Sequence, residues 1–177
     1  NMTNRVVKFG QLELTVDGDK LEVNDTAPNF KAKLEDLSDY DFYKNEEGKV
    51  KIISAVPSVD TSVCELQTFL LSKNEETFPG DLSVITVSND LPFAQKRFEK
   101  EKEISTLKFV SDYLYQDFAK DYSLFINELK LVNRAIFVVD KENIIRHVEY
   151  LDQNTELPDV EKALKVALSF TSKEWNP

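Results

Sequence analysis

The chain has 177 residues, of which 41% are hydrophobic, 31% charged and 11% aromatic, and its net charge is −10. At about 150 residues per domain this length predicts a single domain, residues 1–177, and the composition is too apolar and too aromatic for a disordered chain. The acidic balance disfavours nucleic acid and membrane surfaces as partners, and no apolar run approaches the about 18 residues that a membrane-spanning helix needs.

The chain end and the residue types give further expectations. No charged region followed by an apolar stretch opens the sequence, so we expect a cytoplasmic protein that begins naturally at Met2, with Asn1 left by a cleaved expression tag. Cys64 is the only cysteine and His147 the only histidine. These residues exclude an intramolecular disulfide and a zinc site of the thiolate or imidazole kind. We expect no metal and no cofactor, and we interpret His147 as a surface or half-buried strand residue.

The first half of the chain alternates predicted strands with one helix. Two short alternating runs around Gly10 predict a β-hairpin at 6–16, an appendage to the main sheet. Residues 27–30 are predicted to be extended, because the residue before a proline avoids the helical region. A β-branched run at 49–56 predicts a strand that ends at Pro57. Val63, Leu66 and Leu70 then have helical spacing, which predicts a helix from about residue 61 to Pro79.

The second half continues the alternation and ends in a hairpin and a helix. Strands are predicted at 82–88 and 107–110, with a helix between them that starts near Pro92 and carries Ala94 and Phe98 on one side. The runs 134–140 and 144–150 predict an antiparallel hairpin. A last helix starts near Pro158, and its apolar residues fall on one side: Val160, Ala163, Leu164, Ala167 and Leu168.

This order of elements predicts an α/β domain with a mixed parallel and antiparallel sheet. Strand, helix, strand, helix, strand, hairpin and helix suit a thioredoxin-like sandwich, a mixed sheet flanked by helices with an added N-terminal β-hairpin. No linker or repeat points to a second domain.

Cys64 lies where a helix is predicted to begin. Ser62 and Glu65 match the Ser-x-x-Glu capping box, which places Cys64 in the first helical turn. Free backbone N–H groups and the positive end of the helix dipole both favour a thiolate there. The alternative is that Cys64 is a small apolar residue buried against the sheet.

Several motifs along the chain resemble those of one enzyme family. Between a predicted strand and helix stands Pro-x-x-x-Thr-x-x-Cys, residues 57–64, the active-site signature of peroxiredoxins. The similarity continues in Pro-Asn-Phe at 28–30, Asp-Leu-Pro-Phe-Ala-Gln-Lys-Arg-Phe at 90–98 and Arg-Ala-Ile-Phe-Val-Val-Asp at 134–140. From Phe9 to Leu168 the chain therefore resembles the bacterial thiol peroxidase subfamily of peroxiredoxins, hairpin included.

The resemblance implies roles for four residues. Cys64 would be the peroxidatic nucleophile, Thr61 and Arg134 would orient the peroxide and the thiolate, and Pro57 would shield the pocket. A nucleophilic sulfur must be deprotonated, and the leaving oxygen needs donors where charge develops. Without the resemblance, Thr61 is a helix-start residue, Pro57 a strand terminator and Arg134 a surface arginine.

The sequence departs from the subfamily at one position. The resolving cysteine that commonly follows the Phe of the 90–98 motif is replaced by Glu99. A sulfenic acid on Cys64 then has no partner thiol within the chain, so reduction must come from an external thiol, a thioredoxin-like protein or a low-molecular-weight thiol.

The leading interpretation is thus a one-cysteine peroxidase that reduces hydrogen peroxide or organic hydroperoxides, and the family suggests a homodimer. The alternative is a catalytically decayed redox sensor or protein-binding module. A disulfide reductase is disfavoured because no Cys-x-x-Cys is present.

Overall fold

The N-terminal hairpin forms a two-stranded sheet of its own. The computed structural model describes residues 4–172, and in it β1 (Asn4–Phe9) pairs antiparallel with β2 (Leu12–Asp17). Gly10 in the connecting turn has a φ of +63°, which a residue without Cβ adopts at little cost. A small core fixes the hairpin to the rest of the chain: Val7, Leu14, Val16 and Ile126. The predicted hairpin is confirmed, slightly longer than 6–16; the expected start at Met2 lies outside the described residues.

The main sheet has seven strands in the order β4-β3-β7-β6-β5-β8-β9. The central strands β5, β6 and β7 are parallel, whereas β3, β4, β8 and β9 join antiparallel. The bounds are β3 (Lys31–Lys33), β4 (Asp39–Asp41), β5 (Val50–Ala55), β6 (Leu82–Ser88), β7 (Lys108–Ser111), β8 (Ala135–Val139) and β9 (Ile145–Tyr150). The mixed sheet and the β8–β9 hairpin are as predicted.

Helices cover both faces of this sheet. Their bounds are α1 (Phe42–Asn45), α2 (Ser62–Ser72), α3 (Pro92–Glu101), α4 (Asp117–Asp121) and α5 (Val160–Ser169), with a 3-10 turn at Glu75–Thr77. Buried residues of α2, α3 and α5 share one core cluster, and those of α1 and α4 share the other. The first long helix ends at Ser72, earlier than predicted. Among residues 4–172, no helix has both the length and the apolar character needed to span a bilayer.

The topology brings two distant segments of the chain together at one end of β5. Every residue of β5 is buried, as is usual for a central strand covered on both faces. Its last residue, Ala55, pairs with Ala135, the first residue of the antiparallel strand β8. The loop from β5 into α2 and the residue that precedes β8, Arg134, therefore meet at this edge of the sheet.

Candidate active site

The first turn of α2 carries Cys64 as its third helical residue. Thr61 is the N-cap, with extended backbone, and its hydroxyl oxygen accepts a hydrogen bond from the Cys64 backbone N–H at 3.2 Å. The predicted capping box is therefore wrong by one residue: Ser62 is already helical and exposed, and Glu65 forms an ion pair with Lys102. The prediction that Cys64 lies in the first helical turn is confirmed.

The Cys64 sulfur is fully buried and accepts a hydrogen bond from an arginine. The Nη2 of Arg134 lies 3.0 Å from the Sγ of Cys64. A guanidinium is a permanent cation, so it stabilises a thiolate more than a thiol, in the same sense as the helix N-terminus. Cys64 packs in a hydrophobic core cluster, as the alternative interpretation as a small buried apolar residue predicted. Its sulfur, however, also has a charged partner.

Arg134 is buried, with 1% of its surface exposed, so the interpretation as a surface arginine is wrong. Its Nη1 donates to Gln67 Oε1 at 2.9 Å and its Nε donates to the backbone oxygen of Asn154 at 2.8 Å. Within residues 4–172 no carboxylate forms an ion pair with it. Neutral acceptors thus orient the guanidinium without compensating its positive charge, so this charge can interact with the Cys64 sulfur.

Gln67 is a site residue that the sequence analysis missed. The predicted apolar stripe of α2 is wrong: Leu66 is 45% exposed, and the buried positions of this helix are Cys64, Gln67, Thr68 and Leu71. Two polar side chains are buried there because each is hydrogen-bonded; Gln67 Nε2 donates to Ser54 Oγ at 2.7 Å, and Thr68 Oγ1 donates to the Cys64 carbonyl. The signal in the sequence was the spacing, since Gln67 follows Cys64 by three residues and shares its helical face.

The loop between β5 and α2 is fixed from the side by Asp90. Its carboxylate accepts hydrogen bonds from Ser58 Oγ at 2.8 Å and from the Val59 backbone N–H at 2.7 Å. Pro57 is buried two residues after the end of β5, near the start of this loop. The structure therefore brings Thr61 and Arg134 each into hydrogen-bond contact with Cys64 and places Pro57 on the loop that leads into α2.

Glu99 and His147 lie outside this hydrogen-bonded group. The Glu99 side chain, on α3, faces Glu35; burial first, and then the neighbouring Glu35 carboxylate, raise the pKa of Glu99 to about 8. His147, on β9, is half-buried as expected, and burial lowers its pKa. Among the described residues, no group of three or more His, Cys, Asp or Glu side chains is arranged to hold a metal ion.

Comparison with known proteins gives one consistent result. The Redoxin family profile matches residues 22–164. The thiol peroxidase of Streptococcus pneumoniae is 42% identical over 163 residues, 92% of this chain and 98% of that protein. The thiol peroxidase of Halalkalibacterium halodurans is 40% identical over 161 residues, 91% of this chain and 96% of the relative.

Solved structures agree with the sequence comparison. A peroxiredoxin-like protein from Aquifex aeolicus superposes with a TM-score of 0.78 at 32% identity, covering 94% of this chain and 99% of that one. A thiol peroxidase from Chromobacterium violaceum has the same fold, with a TM-score of 0.79 at 22% identity and coverage of 91% and 94%.

Proposed function

This chain belongs to the Redoxin family, as a thiol-dependent peroxidase of the peroxiredoxin type, and from that premise we propose that Cys64 is its nucleophile toward hydrogen peroxide and organic hydroperoxides. The observation that carries the proposal is the contact of 3.0 Å between Arg134 Nη2 and Cys64 Sγ at a helix N-terminus. A guanidinium and a helix N-terminus both interact more favourably with a thiolate, the form that nucleophilic attack requires, than with a thiol.

The oxidative step uses residues already in contact. The thiolate sulfur attacks one peroxide oxygen, an S–O bond forms and the O–O bond breaks. The second oxygen leaves with the electron pair, takes a proton and departs as water or an alcohol. We propose that Arg134 stabilises the negative charge that develops on the peroxide oxygens in the transition state, because a fixed guanidinium needs no reorganisation. Cys64 becomes a sulfenic acid.

Thr61 and Pro57 complete the proposed site. The Thr61 oxygen already accepts the Cys64 N–H, and its own hydrogen remains for donation to a peroxide oxygen. Pro57 has no backbone N–H, so it adds no competing donor where it limits access of water.

The reductive step needs an external thiol, because Cys64 is the only cysteine. A thiolate of the reductant attacks the sulfenic sulfur, an S–S bond forms, and the S–O bond breaks with loss of water. A second thiol then displaces Cys64 from the mixed disulfide. Since Cys64 is fully buried, the first turn of α2 must open before the reductant, a thioredoxin-like protein or a small thiol, reaches it.

A homodimer and a cytoplasmic location are part of the proposal. Large apolar side chains are exposed on α2, at Leu66 and Phe69, and at the start of α3, at Leu91 and Phe93, of which Phe93 is 64% exposed. We expect Phe93→Asp to weaken self-association in sedimentation experiments. Leu12→Asp, on the exposed side of the hairpin, is the matched control. A reactive single thiol suits a reducing compartment.

Stopped-flow mixing of the reduced protein with hydrogen peroxide and with an organic hydroperoxide tests the function. We expect rapid oxidation of Cys64 in the wild type. The Cys64→Ser variant should fold normally, since the volume change is small, and consume no peroxide. Equal peroxide turnover by the variant and the wild type would show that Cys64 is not the nucleophile.

A further inference from the structure

Asn154 is fully buried beside Arg134 and uses every one of its polar groups. Its Oδ1 accepts hydrogen bonds from the Arg134 backbone N–H at 2.7 Å and from Asn133 Nδ2 at 2.9 Å, and its carbonyl accepts from Arg134 Nε at 2.8 Å. Its backbone N–H and its Nδ2 both donate to the Lys8 carbonyl at 2.9 Å. One residue thus joins the arginine of the site to strand β1 of the N-terminal hairpin.

Strand β1 contacts the same region at further points. The Lys8 N–H donates to the Asp152 carbonyl at 2.6 Å. Arg5 Nη2 donates to Asn133 Oδ1 at 2.8 Å, and its guanidinium lies 5.0 Å from the centre of the Tyr150 ring. The hairpin therefore holds the segment 152–154 through backbone and side-chain bonds, although its two strands are not part of the main sheet.

We propose that Asn154 is a positioning residue for Arg134, and that the hairpin, by fixing Asn154 through the Lys8 carbonyl, forms part of the apparatus that maintains the Cys64 thiolate. The inference rests on the proposed role of Arg134. An arginine side chain has several rotatable bonds, and within residues 4–172 two acceptors besides the sulfur, Gln67 Oε1 and the Asn154 carbonyl, fix the direction of its fork. When the Asn154 anchor shifts, Nη2 no longer stays at hydrogen-bond distance from the sulfur.

The Asn154→Ala variant tests the proposal because it keeps the Asn154 carbonyl but removes the Oδ1 and Nδ2 hydrogen bonds that hold this carbonyl in place beside Arg134. We expect the pH titration of the Cys64 thiolate, followed by its ultraviolet absorbance, to shift to higher pH, and the rate constant with hydrogen peroxide to fall about 10- to 100-fold, as for other small misplacements. Arg5→Ala, which removes the hydrogen bond to Asn133 Oδ1 and so loosens the side chain that donates to Asn154, should give a smaller change in the same direction. It keeps the proposal testable if Asn154→Ala does not fold.

The matched control is Glu128→Ala. Glu128 accepts hydrogen bonds from the Thr15 N–H and hydroxyl, so it tethers the other strand of the hairpin and has no bond to Asn154 or Arg134. We expect this variant to lose stability without a change in titration or rate. If the control slows the reaction as much as Asn154→Ala, or if Asn154→Ala titrates like the wild type, the proposal is wrong. An unchanged titration in Arg134→Ala would instead refute the role of Arg134 on which the proposal rests.

Discussion

At the scale of single residues, the site is organised by a buried charge without a carboxylate partner. Arg134 is the largest of the fully buried side chains, and neutral oxygens of Gln67 and Asn154 hold two of its nitrogens. A buried cation is costly unless an anion compensates it. The Cys64 sulfur is the remaining acceptor, so burial of the arginine itself favours the thiolate.

Replacement of Arg134 by alanine should therefore reduce the thiolate. A helix N-terminus stabilises an anion by about 0.3–1 kcal/mol, whereas a hydrogen bond to a charged group is worth about 1.5–3 kcal/mol. We expect less thiolate at neutral pH, measured by ultraviolet absorbance, and a rate constant with peroxide lower by about 100-fold or more. The control is Arg146→Ala, on β9, where the arginine pairs with Asp140. An unaltered titration in Arg134→Ala would contradict the assignment.

Gln67→Glu tests the same charge balance from the opposite side. The new carboxylate would form an ion pair with Arg134 Nη1 and compete with the sulfur for the positive charge. We expect slower oxidation of Cys64 in stopped-flow experiments, together with less thiolate at neutral pH.

Gln95→Glu is the control for this variant, because Gln95 is equally buried but bonds to Ser88 and the Val110 carbonyl, with no arginine. A loss of stability common to both variants, with normal thiolate in Gln67→Glu, would show that Gln67 acts in packing alone.

At the scale of elements, the region around the buried thiol is linked to α3 by one ion pair from α2 and by hydrogen bonds to the loop that leads into α2. Glu65 in the first turn of α2 pairs with Lys102 at the end of α3, and Asp90, just before α3, holds the loop that leads into α2. Glu99, the position at which the resemblance to thiol peroxidases led us to expect a resolving cysteine, also lies on α3 and faces Glu35. Opening of α2 for reduction therefore has to break contacts with the start and the end of α3.

Glu99 should make the stability of the protein depend on pH. Its folded-state pKa of about 8 lies above its ordinary value of 4.5. The contribution of Glu99 to the free energy of unfolding is therefore complete below about pH 4.5 and is lost as the pH rises through about 8. The glutamine of Glu99→Gln stays neutral at every pH. In urea unfolding across this pH range, we therefore expect the free energy of unfolding of this variant to fall less with rising pH than that of the wild type.

Glu101→Gln is the control, since Glu101 is an exposed carboxylate on the same helix that pairs with Arg97. Because Glu99 is partly solvent-exposed, we expect a modest effect. Identical pH profiles for the wild type and Glu99→Gln would show that the pKa of Glu99 is not raised in the folded protein.

At the scale of the whole molecule, a single buried thiol determines the products of oxidation. The chain has no second cysteine whose thiol could react with a sulfenic acid on Cys64. The Cys64 sulfur itself is enclosed in the core between α2 and the sheet. The product of Cys64 oxidation therefore depends on which external thiol or peroxide is present.

After one equivalent of peroxide we expect Cys64 as a sulfenic acid, or as a mixed disulfide when a small thiol is present. Excess peroxide without reductant should drive it to the sulfinic acid. Intact-mass spectrometry under non-reducing conditions distinguishes these species. A predominant covalent dimer would mean that Cys64 residues of two subunits meet, and that resolution by an external thiol is wrong.

The sequence by itself determined the alternation of strands and helices and the position of Cys64 at the start of a helix. The strand at 82–88, the helix from Pro92 and the β8–β9 hairpin follow from local apolar patterns and turn residues, which need no distant partner. The placement of Cys64 at a helix start also follows from neighbouring residues alone. Local periodicity could not identify the buried face of α2, because two of its buried residues are polar and satisfied by contacts far along the chain.

Only the tertiary structure decided how the site is assembled. Arg134 reaches Cys64 because β8 runs antiparallel beside β5, so residues 70 positions apart meet at one edge of the sheet. Asn154 connects the site to the hairpin through its hydrogen bond to the carbonyl of Lys8, a residue 146 positions away. No pattern of side chains in the sequence predicts this contact. Hydrogen bonds to backbone oxygens depend on where the chain is folded and not on the residue type that provides the oxygen, which is why the sequence gives no sign of them.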